Sequence, residues 1–143
     1  MASKKIVCSF DYENDRIYYN LLEDWNKNPN IDFHISDCTP DEIQTASVTT
    51  IKNVLSRKIG EANYMIAIIG EHSNDLHVDY KEIGCINWQS YEIEKNYEKG
   101  NGLVFVKIDS SCSVPTACYG KGAKWVHGFD RSEIKKALDE LAY

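Results

Sequence analysis

Nothing in this 143-residue chain approaches the ~20 consecutive apolar residues that a membrane-spanning helix needs, so no membrane span is expected. Positive charge is also short: 16 Lys and Arg against 22 Asp and Glu leave a formal net charge of −6. A protein that grips phosphate backbones needs a basic face, so nucleic acid is not an expected partner. No CxxC occurs among the five cysteines, at 8, 38, 85, 112 and 118, and the four histidines bear no ligand spacing to them. Neither a disulfide framework nor a metal site is expected, and scattered thiols in odd number fit a reduced, cytoplasmic chain. The opening MASKK runs straight into a strand-like segment without the pattern of a signal peptide, which points to the same compartment. GxxxxGK[ST] and GxGxxG are both missing, which removes the standard nucleotide loops. There is no internal repeat, linker or low-complexity tract.

What is there is an alternation. An apolar fraction of 43% with 27% charged residues is ordinary for one globular domain spanning 1–143 and long enough to bury a core. The β-branched run KIVCSF, residues 5–10, predicts a strand stopped by the polar DYEND. Ile17, Leu21, Leu22 and Trp25 then recur at helical spacing over residues 14–25, and Asn28, Pro29 and Asn30 end that helix. IDFHIS, 31–36, alternates like a strand, after which Thr39 or Asp41 is placed to cap a helix carrying Val48, Ile51, Val54, Leu55 and Ile59. YMIAII, 64–69, is the most continuously apolar run and fits a strand covered on both faces. A polar loop follows, then a helix that carries Trp88 and Glu92 and stops at Gly100. LVFVKI, 103–108, and residues 124–127 read as strands, and Ile134, Ala137, Leu138 and Leu141 as a last helix.

Strands alternating with helices imply a parallel sheet with helices on both faces. Five strands at this length predict a flavodoxin-like, doubly wound α/β domain of strand order 2-1-3-4-5. Its ligand crevice lies beyond the carboxyl ends of strands 1 and 3, where the strand order reverses. The loop there reads SFDYENDR, and its three carboxylates repel a flavin phosphate. A phosphoacceptor needs an aspartate at the end of strand 3, where Gly70 and Glu71 stand instead. Trp88 and Glu92 fall four residues apart on one helix face. Spacing alone leaves Glu92 open between a solvated helix residue and a catalytic acid, and Phe10 between core and pocket. Asp11 and Asp15 fit helix caps as well as ligand contacts. Arg16 is expected to pair with a carboxylate of its own helix, and His72 and His77 read as structural.

Three of these stretches together resemble Toll/interleukin-1 receptor (TIR) domains. SFDYENDR is similar to the family's first box, a Ser-Phe followed by a short charged loop; MIAIIG with the Ser-bearing loop after it is similar to the third strand. NWQSYEIEK is similar to the helix in which TIR enzymes carry their glutamate, in particular the TIR-like proteins of bacterial Thoeris antiphage systems. The resemblance implies an NAD⁺-consuming enzyme with Glu92 as its catalytic carboxylate. It implies that Phe10, Asp11, Tyr12, Ser73 and Trp88, with the loop 37–41, shape the substrate pocket. The segment from 70 to 88 is longer than usual in the family, which leaves Glu82, in DYKEI, as a second candidate.

The chemistry suits a lone acid. Nicotinamide leaves as a neutral molecule, so its departure requires no proton and no metal, while the ribose becomes oxocarbenium-like. A carboxylate near that sugar stabilises the developing charge, more so when partly buried beside Trp88. Burial also tends to raise a carboxyl pKa, so a polar partner is expected to keep Glu92 ionised. The resemblance further implies NAD⁺ as substrate rather than cofactor, assembly into a homo-oligomer on activation, and a phage-derived trigger. An effector protein would be reached through a nucleotide messenger, a cyclic ADP-ribose isomer if a ribose hydroxyl attacks and ADP-ribose if water does. Two other readings stay open: a TIR-type interaction module without turnover, docking through loop 37–41, and a nucleoside deoxyribosyltransferase-like enzyme.

Overall fold

The computed structural model describes residues 4–37 and 47–141. Its strands are β1 (Lys4–Ser9), β2 (Phe33–Asp37), β3 (Tyr64–Ile69), β4 (Gly102–Lys107) and β5 (Lys124–His127). All pair in parallel, in the order β2-β1-β3-β4-β5, which is the flavodoxin-like arrangement. The helices are α1 (Arg16–Glu23), α2 (Val48–Gly60), α3 (Tyr80–Ile83), α4 (Trp88–Lys99) and α5 (Arg131–Leu141). Among the described residues no helix is long and apolar enough to cross a membrane.

Alternation along the central strands splits the interior into two layers. Ile6, Cys8, Ile66, Ile68, Val104 and Val106 face one side, where Tyr19, Leu22 and Trp25 meet Ile134 and Leu138. Val7, Met65, Ala67, Ile69, Leu103 and Phe105 face the other, under Ile51, Leu55 and Ile59 of α2 and Ile93 of α4. A sheet buried on both faces needs apolar residues at every strand position, which is why β3 and β4 read as unbroken apolar runs. Of the five cysteines the four described ones are free, and Cys38 lies outside the described residues.

Several sequence expectations are corrected in detail. The first helix is shorter than 14–25: α1 covers Arg16–Glu23, and a 3-10 turn over Asp24–Lys27 carries Trp25. Its phase also differs, since Tyr19 takes the inner position while Ile17 stays 63% exposed and Leu21 37% exposed. Tyr19 can face inward because its hydroxyl donates to Glu23 at 2.7 Å, so the ring is buried and the oxygen satisfied. Helix α2 is capped by Ser47, whose hydroxyl accepts the N–H of Thr50; Thr39, Asp41 and most of the loop 37–41 lie outside the described residues. The polar stretch after β3 contains the extra one-turn helix α3, ended by Gly84. Arg16 makes no ion pair among the described residues and lies 4.8 Å over the ring of Tyr12.

Candidate active site

The carboxyl ends of β1 and β3 open into a half-open cleft of about 280 Å³. The loop after β1 supplies Phe10, Asp11 and Tyr12; the loop after β3 supplies His72, Ser73, Asp75 and His77; the start of α4 supplies Trp88, Gln89 and Glu92. This is the switch-point crevice that the strand order requires.

Glu92 is 1% exposed. Its Oε1 accepts a hydrogen bond from Ser9 Oγ at 2.5 Å, from the last residue of β1. The polar partner expected for a buried carboxylate is therefore Ser9, 83 residues away in sequence. A hydroxyl donating to a carboxylate stabilises its charged form, offsetting the burial. Gln89 ties the same elements together: its Nε2 donates to Ser9 O at 3.2 Å and to Ile68 O at 2.6 Å. The first turn of α4 is thus fastened to the ends of both central strands. Its start is set by Asn87, whose Oδ1 accepts the N–H of Ser90 while Nδ2 donates to the carbonyls of Ser73 and Asp75. One side chain both caps the helix and holds the loop beside it.

Phe10 belongs to core and cleft together: it stacks on Tyr19 at 5.1 Å between ring centroids and on Tyr12 at 6.2 Å while lining the cavity. Asp11 lines the cleft too, but Oδ1 accepts the N–H of Glu13 and of Asn14, so the carboxylate shapes its own loop. Ser73 is buried and its hydroxyl is committed, accepting Gly70 N–H at 2.9 Å and donating to Ile68 O at 3.3 Å. It acts as a staple of the loop rather than as a group turned to ligand. Trp88 stands edge-on to Tyr91 at 5.6 Å and to His77 at 6.5 Å. Glu82 lies elsewhere: it is exposed on α3, outside the cleft lining, because its one-turn helix packs Ile83 inward and leaves Glu82 to solvent.

Residues that sequence reading assigned to other roles lie in or beside the cleft. Asp15 was legible as a cap of α1, yet its side chain makes no cap hydrogen bond. It lies buried against Gly70, where a Cβ would come within 2.2 Å of its Oδ2. Burial, then the neighbouring Asp11, push its pKa from 3.8 up to about 6. His72 and His77, read as structural, line the cleft. Among the described residues, buried polar atoms without a hydrogen-bond partner are Asp15 Oδ2, Gln89 Oε1 and Ser90 Oγ. Such groups are rare in a relaxed interior, and all three sit on segments that border the cleft. The usable signals were slight: Ser9 lies next to last in the strand expected over residues 5–10, and Gln89 adjoins Trp88 at the start of the helix.

The profile of the family described as "Thoeris protein ThsB, TIR-like domain" matches residues 7–113. No curated protein matches the chain. Among solved structures, a 3-dehydroquinate dehydratase-like protein from Bifidobacterium longum is 12% identical with a TM-score of 0.48, over 99% of this chain and 96% of that one. The apo cysteine desulfurase of Thermococcus onnurineus NA1 is 14% identical with a TM-score of 0.39, over 76% of this chain and 23% of that one. Both likenesses are too slight to carry an argument. The family match spans well over half of the chain and includes all three stretches that resemble TIR domains, so the chain belongs to the TIR-like family of Thoeris ThsB proteins.

Proposed function

We propose that this domain cleaves the nicotinamide–ribose bond of NAD⁺ and converts the ADP-ribose unit into a cyclic nucleotide signal for a separate effector in antiphage defence. One observation carries the reading: a carboxylate buried in the switch-point cleft, oriented by a hydroxyl from the end of β1. A docking module has no use for such a group. In the proposed reaction the C1′–N electron pair leaves with nicotinamide, and Glu92 stabilises the cationic ribose or holds a ribose hydroxyl. Phe10, Tyr12 and Trp88 give the planar bases apolar surface and exclude water. The cavity is near the low end of ligand pockets, about 300 Å³. It therefore suits the nicotinamide riboside half, with the remainder of the dinucleotide leaving through the open side. Assembly on activation, in response to a phage component, belongs to the same reading.

The test is nucleotide mass spectrometry on phage-infected cells expressing wild type, Glu92→Ala or Glu92→Gln. Wild type is expected to deplete NAD⁺ and accumulate an ADP-ribose isomer, and both variants to do neither while remaining folded. Undiminished turnover in a folded Glu92→Gln protein would reject the assignment.

A further inference from the structure

We propose that His72, held by Asp75, is the catalytic base that takes the proton of the attacking hydroxyl in this cleft; the inference rests on the NAD⁺-cleaving reading above. The balance of the reaction demands such a group. The C1′–N bond breaks and its electron pair neutralises the pyridinium nitrogen. A hydroxyl oxygen, from ribose or water, forms the new bond to C1′. The hydroxyl proton is then surplus, one per turnover, and needs an acceptor at the cleft. Glu92 is already assigned to the cationic ribose, with Oε1 receiving the Ser9 hydroxyl, so the proton is assigned to a second group.

Two imidazoles line the cavity, and their hydrogen bonds fix opposite tautomers. His77 Nδ1 accepts the backbone N–H of Asp79 at 2.9 Å. A backbone N–H can only donate, so the neutral ring of His77 carries its proton on Nε2 and offers no lone pair. His72 is the reverse: Nδ1 lies 2.8 Å from Asp75 Oδ2. A carboxylate only accepts, so the proton of neutral His72 sits on Nδ1 and Nε2 presents a free lone pair. The backbone under the pair is braced, since Asn87 Nδ2 holds the Asp75 carbonyl at 2.9 Å and the Ser73 hydroxyl holds Gly70 N–H. An oriented carboxylate behind an imidazole fixes its tautomer and stabilises the imidazolium formed by proton uptake.

The surroundings favour the proton on balance. The hydrogen bond to Asp75 is the largest influence and raises the His72 pKa above 6.5; partial desolvation opposes it, and the charges of Asp75, Glu71 and Asp11 add to the rise. Asp15, from the first loop, also faces His72. A base shifted upward from 6.5 moves toward the neutral range, where proton uptake and availability are both favourable.

The experiment has two arms, applied to wild type, His72→Gln and Asp75→Asn. In the first, nicotinamide release is followed across pH. Wild-type kcat is expected to fall on an acid limb; Asp75→Asn moves that limb to lower pH; His72→Gln abolishes it and lowers kcat about 100-fold with little change in KM. An unaltered rate and pH profile in folded His72→Gln overturns the base while Glu92→Gln, inactive in the same assay, keeps the cleavage reading standing. In the second arm, long-range ¹H–¹⁵N NMR on histidine-labelled protein reads the tautomer without turnover. Neutral His72 is expected in the Nδ1–H form, with a titration midpoint that drops in Asp75→Asn. An Nε2–H ring indifferent to Asp75→Asn overturns the proposal whatever the activity.

Discussion

A carboxylate pressed against a glycine Cα has little room for water on that side. Asp15 is in that position on Gly70, with Oδ2 buried and without a hydrogen-bond donor. Its pKa is about 6 in the folded chain against an ordinary 3.8, raised first by burial and then by Asp11. Because the folded state binds this proton more tightly than the unfolded chain, its contribution to stability is fully present below about pH 4 and is lost as pH rises through about 6. Above that window the ionised group strains the fold. The Asp15→Asn variant is therefore expected to be more stable than wild type by about 2 kcal/mol at about pH 7.5, with the upward shift discounted for partial solvation. The advantage should shrink to almost nothing at about pH 4. For a chain of this length the difference at higher pH corresponds to about 5 °C in Tm. Thermal unfolding of both proteins at the two pH values checks this, and a pH-independent difference would remove the burial argument. Asp109 and Asp130 lie below their ordinary pKa through bonds to Ser111 and Ser132, so they act in the opposite sense and cancel only in a comparison of variant with wild type.

At the level of elements, the close approach of Asp15 explains why residue 70 is glycine although its backbone needs no left-handed conformation. A methyl group in Gly70→Ala would meet all three carboxyl atoms of Asp15 within 2.6 Å and push the first loop away from the third. The expected cost is about 1–3 kcal/mol, from overpacking. In an Asp15→Ala background the obstruction is gone, so the same Gly70→Ala change is expected to cost under about 1 kcal/mol, a coupling that denaturant titration of the double-mutant cycle measures. The same pair shows what sequence could and could not reveal. Strands β3 and β4 were legible because burial on both faces forces unbroken apolar runs, and α2 and α5 because their stripes carry no competing aromatic. The first helical stripe was legible in Leu22 and Trp25, which are core, but not in Ile17 and Leu21, which are exposed. Counting Ile17 and Leu21 as core ignored Tyr19, which the Glu23 hydrogen bond allows inside. Helix α3 is a single turn, too short for any periodicity to register. In the site, Trp88 and Glu92 were visible as a helical pair, whereas Ser9 and Asp15 acquire their roles from other elements, and His72 from Asp75 within an irregular loop that carries no periodicity. Ser9 to Glu92 is a contact across 83 residues, and no local pattern encodes it.

For the molecule as a whole, charge would decide how the proposed substrate, NAD⁺, arrives. The chain carries a formal net charge of −6, and Asp11, Glu13, Asp75 and Glu92 line the cleft, with no Lys or Arg among the described lining residues. Such a surface attracts the pyridinium ring of NAD⁺ but repels its diphosphate. NAD⁺ is a net anion, so the long-range field opposes its approach, whereas nicotinamide riboside is a cation and is drawn in. Salt screens both effects over a Debye length of about 10 Å at about 0.1 M. Raising ionic strength from about 20 mM to about 200 mM is therefore expected to lower KM for NAD⁺ by about twofold and to raise KM for nicotinamide riboside by a similar factor. Opposite salt slopes for two substrates sharing one scissile bond isolate the field from any general effect of salt on the fold, which would move both in the same direction. Equal slopes would mean that the diphosphate finds cations outside this cleft, for example on a neighbouring protomer, and that the acidic wall does not control entry.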